Sequence, residues 1–417
     1  MTFTAANVVT LAIAVLAIAG VIVRPMRWLE AVWAVAGAVA VVALGLVPVR
    51  DAVAAMGQGS DVYLFLLGMM LLSETARREG LFDWLAVEAV LHAKGSARRL
   101  FLLIYGVGTI VTVFMSNDAT AVVLTPAVFA AAKRAKLEPL PYLFICAFVA
   151  NAASFVLPIS NPANIVLYGG HMPPLTAWLK SFTLPSLAAI VATYLVLRWR
   201  MRAALGGSVD LPARFTLPRG AFVALAGIVV TALALIVTSF VDIKFGWPAA
   251  IGGVATALAV LATERASPWP VIRHMSWSII PLVAGLFVLV RAIEGTGLID
   301  DLTRTLVALV QHSEALAAAS AGGAIAVVSN LMNNLPVGLI AASVLTQAHP
   351  PLAVTDAALI GVDLGPNLSI TGSLATILWL TAIRRDGEHV DFWRFLKVGA
   401  LVMPPALALA IAARLLL

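Results

Sequence analysis

Cysteine and charge are the scarce components of this 417-residue chain. Cys146 is the only cysteine, which excludes an internal disulfide and a metal or metalloid site built from several sulfurs. Charged residues make up 12% of the chain, against about 25% in a typical soluble domain. No G-x-x-x-x-G-K-S/T motif is present, which excludes a P-loop ATPase. We find no nucleophile–base pair and no cofactor or metal motif, so we do not expect an enzyme.

Hydrophobic residues are abundant instead, at 61%, and they gather in about ten stretches near the ~20 residues that a spanning helix needs. This predicts an all-α polytopic membrane protein surrounded by lipid bilayer. Basic residues cluster between these stretches, which favours positive-inside orientation over nucleic-acid binding. Arg24 and Arg27 place the first loop in the cytoplasm, and Arg384 and Arg385 do the same before the last span. We therefore expect a cytoplasmic (inner) membrane protein with both termini outside.

Two apolar runs are expected to enter and leave the membrane on one side. The run at about 100–132 has basic residues at both ends, and its 33 residues fall short of the ~40 needed for two crossings. We predict a re-entrant hairpin with its tip near Ser116–Thr120. A second hairpin, at about 315–345 with its tip at Met332–Pro336, enters from the outside. Irregular backbone at such depth is tolerated only where it is buried in protein or lines a cavity.

Two further apolar stretches are predicted to be broken helices. The stretch at about 140–168 is interrupted at Leu157–Asn164, where two prolines each remove a backbone hydrogen bond. The stretch at about 352–383 is interrupted at Asp363–Ser373. Each break frees backbone groups and begins a new half-helix, whose N-terminus offers N–H donors.

The chain is interpreted as two copies of one unit. The first half is 1–200, the second is 220–417, and the most basic connector, 201–219, forms a cytoplasmic linker between them. Gly80 aligns with Gly297 at an offset of 217, and the predicted membrane orientation inverts between the copies. Inverted-topology repeats with broken helices that meet near the membrane midplane are a secondary-transporter architecture.

The candidate substrate-binding residues are the polar side chains of the two tips and the two breaks. They are Ser116, Asn117, Asp118, Thr120, Asn151, Ser160, Asn161, Asn164, Asn330, Asn333, Asn334, Asp363, Asn367, Thr371 and Ser373. Nearly all are neutral groups that both donate and accept hydrogen bonds. No Lys or Arg lies in a tip, so a dianionic substrate would lack a fixed counter-charge. The set suits a small, neutral, hydroxyl-rich solute, or a cation held by carboxylates.

Asp118 and Asp363 are the candidate proton-coupling residues. The tips align at an offset of 216, which pairs Asp118 with Asn334, and the breaks align at about 212, which places Asn151 close to Asp363. Each pair then carries one carboxyl and one amide, and two titratable groups could exchange protons for substrate. The alternative is that each aspartate caps a half-helix and never titrates.

Four segments carry a family resemblance: SNDATAVVLTP (116–126), ISNPANIV (159–166), MNNLP (332–336) and GVDLGPNLSITGSLATILWL (361–380). At these segments the chain resembles the ArsB family of arsenite/antimonite efflux permeases, within the ion transporter superfamily of inverted-repeat carriers. The resemblance implies arsenical resistance through export of trivalent arsenic and antimony, driven by the proton-motive force or the membrane potential. It leaves open an association with a separate ArsA-type ATPase.

The resemblance has one departure and one competing reading. Asn151 stands where ArsB relatives often have Asp, which puts the proton stoichiometry in doubt. The superfamily also contains sodium/proton antiporters, so a cation/proton antiporter is the alternative function. Arsenous acid, the form of arsenite in neutral water, is an uncharged trihydroxide that amides and hydroxyls could hold without cysteine.

Overall fold

The computed structural model describes residues 4–169, 172–207, 209–241 and 243–417. Regular structure in these ranges is helical, and no strand occurs in them. The prediction of an all-α protein is therefore confirmed. The α-helices are α1 Ala5–Val23, α2 Glu30–Ala43, α3 Val49–Gln58, α4 Ser60–Arg78, α5 Leu81–His92, α6 Ala97–Met115, α7 Asn117–Ala119, α8 Thr125–Arg134, α9 Leu140–Ala152, α10 Pro162–Tyr168, α11 Leu175–Met201, α12 Arg219–Phe240, α13 Gly246–Glu264, α14 Trp269–His274, α15 Ile279–Glu294, α16 Leu298–His312, α17 Glu314–Met332, α18 Asn334–Ala348, α19 Leu352–Leu364, α20 Leu374–Arg385 and α21 Phe392–Leu415.

Helix length and hydropathy identify the membrane spans. Among the described residues seven helices are long and apolar enough to cross a membrane, or up to nine if the bent pairs α3–α4 and α15–α16 each count as one. The predicted number was about ten. The difference arises because α2 has 14 residues, while α9 and α19, the first halves of the broken helices, have 13 each.

The first hairpin is longer than its apolar run. The Ser96 hydroxyl accepts the Arg99 N–H at 3.4 Å and caps α6, so Arg98 and Arg99 lie inside the helix. With its 19 residues α6 is about 28 Å long, enough for a crossing. The hairpin is therefore longer than the 33 residues of its apolar run, and re-entry stays a prediction that rests mainly on the flanking charges.

Each hairpin reverses at a single residue with positive φ. Ser116 has φ 91° and ψ 159°, and Asn333 has φ 73° and ψ 151°. Non-glycine residues in this region cost about 1–3 kcal/mol, and such strain is typical of functional sites. The N–H of each tip residue reaches the carbonyl four positions earlier, at 3.1 Å to Thr112 and at 2.9 Å to Ser329. The two tips are therefore built alike.

This shared geometry changes the register of the tips by one residue. Ser116 matches Asn333, at the offset of 217 that also relates Gly80 to Gly297, both of which have positive φ. Asp118 then corresponds to Leu335, and its predicted correspondence to Asn334 was wrong. The sequence alignment matched similar side chains, whereas the backbone turn is what the halves share.

The register of the broken helices agrees with the sequence. Their first halves begin 212 positions apart, and so do their second halves. The resulting equivalent pairs are Leu140/Leu352, Asn151/Asp363 and Asn161/Ser373. An amide in the first half therefore does correspond to the Asp363 carboxyl in the second.

The two halves interlock, because each contributes helices that pack against the other. α4 packs against α13 and α12, while α15 packs against α2 and α1. Gly68 and Gly285 occupy equivalent positions at these crossings. A Cβ on Gly68 would meet the Ala249 backbone, and one on Gly285 would lie 2.8 Å from the carbonyl carbon of Ala34. Small residues allow this close approach, as is usual between membrane helices. The hairpins and broken helices fill the centre, where every residue of α9 is buried.

The basic connector lies against the first half. The Val209 N–H reaches the Gly95 carbonyl at 3.1 Å, and Lys136 pairs with Asp210 at 2.9 Å. Arg214 makes two hydrogen bonds of 3.1 Å to Glu88. The connector therefore follows the turn before α6 and the base of the first hairpin.

We expect Gly68→Ala to lower the melting temperature of the purified protein by several degrees. The added methyl group meets backbone that cannot rotate away, and such overpacking typically costs about 1–3 kcal/mol. Gly106→Ala in α6 is the matched control, because nothing lies within 4 Å of its Cβ position. That change should leave the melting temperature unchanged or raise it, since alanine favours helix by up to about 1 kcal/mol. Equal effects of the two changes would contradict the close crossing of α4 and α13.

Candidate functional site

Two of the hydrogen bonds that cross between the halves at the helix breaks are equivalent to each other. Asn161 donates from Nδ2 to Asp363 Oδ1 at 2.7 Å, and Ser373 donates from Oγ to Asn151 Oδ1 at 3.4 Å. Each donor residue also caps its own half-helix by accepting a backbone N–H, at 3.0 Å and 3.1 Å. Because the four residues form two equivalent pairs, one contact is the pseudo-symmetric copy of the other. They differ in charge: one contact ends on a carboxyl, the other on an amide.

A small central cavity lies between the tips and the breaks. Its volume is about 10 Å³, roughly the room of one water centre. It is lined by Leu66, Asn117, Asp118, Asn161, Pro162, Ile279, Asn334, Leu335, Leu374 and Ala375. Equivalent positions of the two halves meet there, as Asn117/Asn334, Asp118/Leu335 and Pro162/Leu374. The cavity therefore lies where the two repeats face each other, and Asp118 is its carboxyl-bearing member.

The structure divides the fifteen predicted residues into two groups. Those at or beside the cavity are Asn117, Asp118, Asn161 and Asn334 in its wall, Asp363 one hydrogen bond behind Asn161, and Ser116 in an adjoining pocket. Those that hold backbone or one another are Thr120, Asn151, Ser160, Asn164, Asn330, Asn333, Asn367, Thr371 and Ser373. Most of the polar side chains in the tips and breaks therefore hold in place the few that lie at the cavity.

The first hairpin is held by two of these supporting residues. Thr120, which is fully buried, lies 2.7 Å from the Thr112 hydroxyl and joins the two arms of the hairpin. Ser160 donates to the Val113 carbonyl at 2.9 Å and ties the first break to α6. These bonds fix where the tip ends and therefore where Asn117 lies.

The second hairpin is held in an equivalent way. Asn330 donates to the Gly365 carbonyl at 3.0 Å, and Thr371 donates to the Asn330 carbonyl at 2.9 Å. The Asn334 N–H reaches the Gly372 carbonyl at 2.9 Å. Asn333 caps α18 by accepting the Leu335 N–H at 3.3 Å. The tip is therefore fastened to the second break.

The two breaks are held to each other and to themselves. Asn151 donates to Asn367 Oδ1 at 3.0 Å, and Asn367 donates to the Phe148 carbonyl at 3.1 Å. Asn164 donates to the Ser154 carbonyl at 2.9 Å across its own break. Freed backbone groups are expensive in an apolar core unless they are satisfied. These amides supply the missing partners.

Three buried oxygens near the centre accept no hydrogen bond from the part of the chain that the structure describes. They are Asn117 Oδ1, Asn164 Oδ1 and Asp363 Oδ2. An unsatisfied buried acceptor costs about 1–3 kcal/mol, so each one favours a ligand that donates to it. Asn117 lies in the cavity wall next to the Asp118 carboxyl. The wall therefore presents acceptors to a ligand with O–H groups or a positive charge.

The central cavity lies between one wide opening and one narrow one. A vestibule of about 760 Å³ is lined by parts of α4, α10, α15 and α18, including Val62, Ile165 and Leu339. A pocket of about 50 Å³ on the other side reaches Ser116 and Asp118. Because α4 and α15 line all three spaces, the spaces lie in a row along these two helices, and we call this row the path.

Each end of this path carries an Arg–Glu pair on one helix. Glu74 and Arg77 of α4 pair at 2.6 Å near the narrow pocket, and Arg291 and Glu294 of α15 pair at 3.0 Å at the vestibule. Their positions are equivalent at the offset of 217, with the two charges exchanged. Glu294 also accepts from Ser343 of the second hairpin at 2.8 Å.

Sequence reasoning missed the apolar part of the wall. Leu66, Ile279, Leu335 and Leu374 all line the central cavity. Leucine and isoleucine in an apolar chain carry no signal of their own. The corrected repeat register would have found Leu335, because it is the partner of Asp118.

The chain is similar to known membrane carriers. A family model described as citrate transporter (CitMHS) matches residues 8–366. An arsenical pump membrane protein of Escherichia coli is 28% identical over 392 residues, which are 90% of this chain and 91% of the relative. An uncharacterized transporter of Mycobacterium tuberculosis is 26% identical over 421 residues, 96% of each chain. The resemblance that the motifs indicated is confirmed.

A solved transporter structure is similar in fold. The YdaH transporter of Alcanivorax borkumensis superposes with a TM-score of 0.57 at 16% identity, over 88% of this chain and 86% of that one. At this identity the likeness concerns the architecture alone.

We expect Ser343→Cys to react with an impermeant maleimide from one side of the membrane, and Ser160→Cys to stay unreactive until the protein is unfolded. Both changes replace a hydroxyl by a thiol of similar shape, in a Cys146→Ala background. Ser343 lines the vestibule, whereas Ser160 is fully buried against α6. The measurement is the labelling rate in sealed vesicles of both orientations. Comparable rates at the two positions would contradict the described path.

Proposed function

The chain belongs to the citrate transporter (CitMHS) family, and from this membership we propose that it is a secondary carrier that exports arsenite and antimonite across the cytoplasmic membrane. Protons entering the cell drive this export and the result is arsenical resistance. The relatives named arsenical pump membrane proteins support this substrate within the family. An ArsA-type ATPase as partner stays a prediction of the resemblance alone.

The proposed substrate rests on the composition of the central cavity wall. Its polar members are three amides and one carboxyl, and it contains no Lys, Arg or Cys. Citrate is a multiply charged anion at neutral pH, and such a wall gives it no positive partner. Arsenous acid is neutral and has three hydroxyl groups, each of which can both donate and accept. Amides match this pattern because they also do both.

Two carboxyl groups in this region are suited to proton coupling. A neutral solute feels no membrane voltage, so export against a gradient needs an exchanged ion. Asp118 lies in the cavity wall, and Asp363 is fully buried with only one oxygen bonded, to Asn161. A carboxyl binds protons more tightly as it is desolvated. If hydration of the path alternates between its two ends, proton affinity alternates with it, and this difference links proton entry to substrate exit.

The repeat supplies the two states that such a carrier needs. One end of the path is wide and the other narrow, while the helices that line both ends are equivalent. Exchanging the conformations of the two halves would narrow the vestibule and open the opposite pocket. By the positive-inside pattern the vestibule end, which includes Asp51 and Asp61, is the outside.

The alternative is a sodium/proton antiporter. The unsatisfied oxygens of Asn117 and Asp363, together with the Asp118 carboxyl, are the observation in its favour, because hard cations prefer oxygen ligands. Proteoliposomes that contain a pH-sensitive dye separate the two functions. Arsenite should release protons from loaded vesicles in sodium-free buffer, and sodium without arsenite should not. The reverse result would favour the antiporter.

We expect Asp118→Asn and Asp363→Asn each to keep arsenite binding but to lose uphill, pH-driven export. An amide of the same shape preserves packing, and its oxygen can still accept from Asn161 at position 363. It cannot carry a proton. The measurements are arsenite binding to purified protein and arsenite uptake by inside-out vesicles. Asp210→Asn, in the exposed connector, removes a carboxyl without touching the path and should leave both unchanged. Uphill export with unaltered pH dependence in both variants would make the two aspartates structural.

Replacement of Cys146 by serine should leave arsenite resistance nearly unchanged. Cys146 is fully buried in α9, where its sulfur lies 3.8 Å from the Tyr142 carbonyl, and it does not line the central cavity. A serine hydroxyl can bond the same carbonyl, so the helix is retained. Asn117→Ala, in the cavity wall, is the contrasting variant and should reduce resistance. A large loss of resistance in Cys146→Ser that still reaches the membrane would favour a sulfur ligand for arsenic.

A further inference from the structure

Three arginines surround a surface pocket away from the transport path. Arg98 comes from the first turns of α6, and Arg198 and Arg202 come from the end of α11 and the turn after it. Leu195, Trp199 and Leu205 complete the lining of this pocket, which has a volume of about 250 Å³ and no acidic side chain. The three side chains are exposed, and none of the ion pairs found among the described residues involves them. The pocket is therefore a concentration of uncompensated positive charge.

The pocket has a rigid base. The Tyr105 hydroxyl of α6 donates to the Ile190 carbonyl of α11 at 2.7 Å, which holds the two helices together. The Tyr194 ring lies 5.2 Å from the Tyr105 ring. Arg198 lies over the Tyr194 ring at 5.9 Å, and Arg202 lies over the Trp199 ring at 5.8 Å. Aromatic faces orient these guanidinium groups without neutralising their charge, so their N–H donors remain free for an anion.

An apolar stripe leads along α11 to the pocket. Leu184, Leu187, Val191 and Leu195 are exposed at 43%, 56%, 44% and 54%, at intervals of three or four residues. This spacing puts them on one face of a helix that is long and apolar enough to span the membrane. Trp199, exposed at 54%, follows at the end of the stripe, where tryptophan is enriched at membrane–water interfaces. The hydrocarbon-facing stripe and the basic pocket are thus continuous.

We propose that this pocket binds an anionic phospholipid. The phosphate diester lies among Arg98, Arg198 and Arg202, and an acyl chain lies along the α11 stripe. Arginine is suited to phosphate because its N–H groups can bind two oxygens at once. Basic pockets between membrane helices are known as sites for lipid head groups. A free phosphate would also satisfy the arginines, but the lipid-facing stripe that runs up to the pocket places acyl chains directly beside them. The proposal does not depend on which solute the path transports.

Phosphatidylglycerol binding tests this site with a matched pair of variants. Protein purified in detergent is titrated with phosphatidylglycerol, and bound lipid is counted by native mass spectrometry. The test variant is R98Q/R198Q, and the control is R99Q/R200Q, which removes two exposed arginines from the same two helices outside the pocket. We take roughly fivefold as the contribution of each arginine that contacts the phosphate, the scale of ~1 kcal/mol for a basic residue beside an anionic lipid surface, whereas an arginine outside the pocket makes no such contact in detergent. We expect roughly thirtyfold weaker binding in the test variant and less than threefold in the control.

Two further arms separate the sources of the anion. Phosphatidylcholine, which has the same acyl chains and no net charge, should bind weakly to all three proteins. Inorganic phosphate at millimolar concentration should not displace phosphatidylglycerol. Displacement by phosphate would assign the pocket to a soluble anion, and equal losses in the two variants would show that only diffuse surface charge attracts the lipid. Either outcome would overturn the proposal.

Discussion

Two helices that stop inside an apolar core impose the constraint on which the rest of this structure depends. A helix end leaves backbone N–H and C=O groups without partners, and the surrounding core supplies no water to satisfy them. Asn161 and Ser373 satisfy the starts of the second half-helices, and Asn164 spans its own break. The polar residues at the centre therefore serve first to bond the backbone groups that the helix ends leave without partners. A binding site is available only where some of these polar groups make no bond to the backbone.

Both halves of the repeat support their helix breaks in this way, and a few side-chain differences between the halves determine the chemistry of the site. The crossed contacts at the breaks are equivalent, yet one ends on the Asp363 carboxyl and the other on the Asn151 amide. In the cavity wall Asp118 occupies the position that is equivalent to that of Leu335 in the second half. At the two ends of the path the Arg–Glu pairs exchange their charges. In the proposed carrier, this symmetric frame allows two similar conformations, and the asymmetric side chains give the two conformations different proton affinity and charge.

The family model indicates a carrier, and the proposed substrate rests on the composition of the cavity wall. The matching family model is named for citrate, whereas several relatives are named arsenical pumps. Fold alone does not choose between them, because substrate preference lies in the site. The amide-rich wall without a cation favours the neutral trihydroxide. Basic residues are instead found at the helix ends, where the pocket of Arg98, Arg198 and Arg202 meets the lipid-facing stripe.

The sequence by itself determined the helices, the two tips and the two breaks. Apolar length, prolines and flanking charge are local signals, and the broken helices begin and break where these signals indicate. It also indicated the right polar segments, but not which of their side chains face the cavity. Tertiary structure decided this. The backbone turn at Ser116 shifts the register of the repeat by one residue, and the Thr120 hydroxyl bonds the Thr112 hydroxyl instead of lying in the cavity wall. A side chain's direction depends on contacts between segments that lie some 200 positions apart, such as Asn161 with Asp363, and no local pattern encodes those contacts.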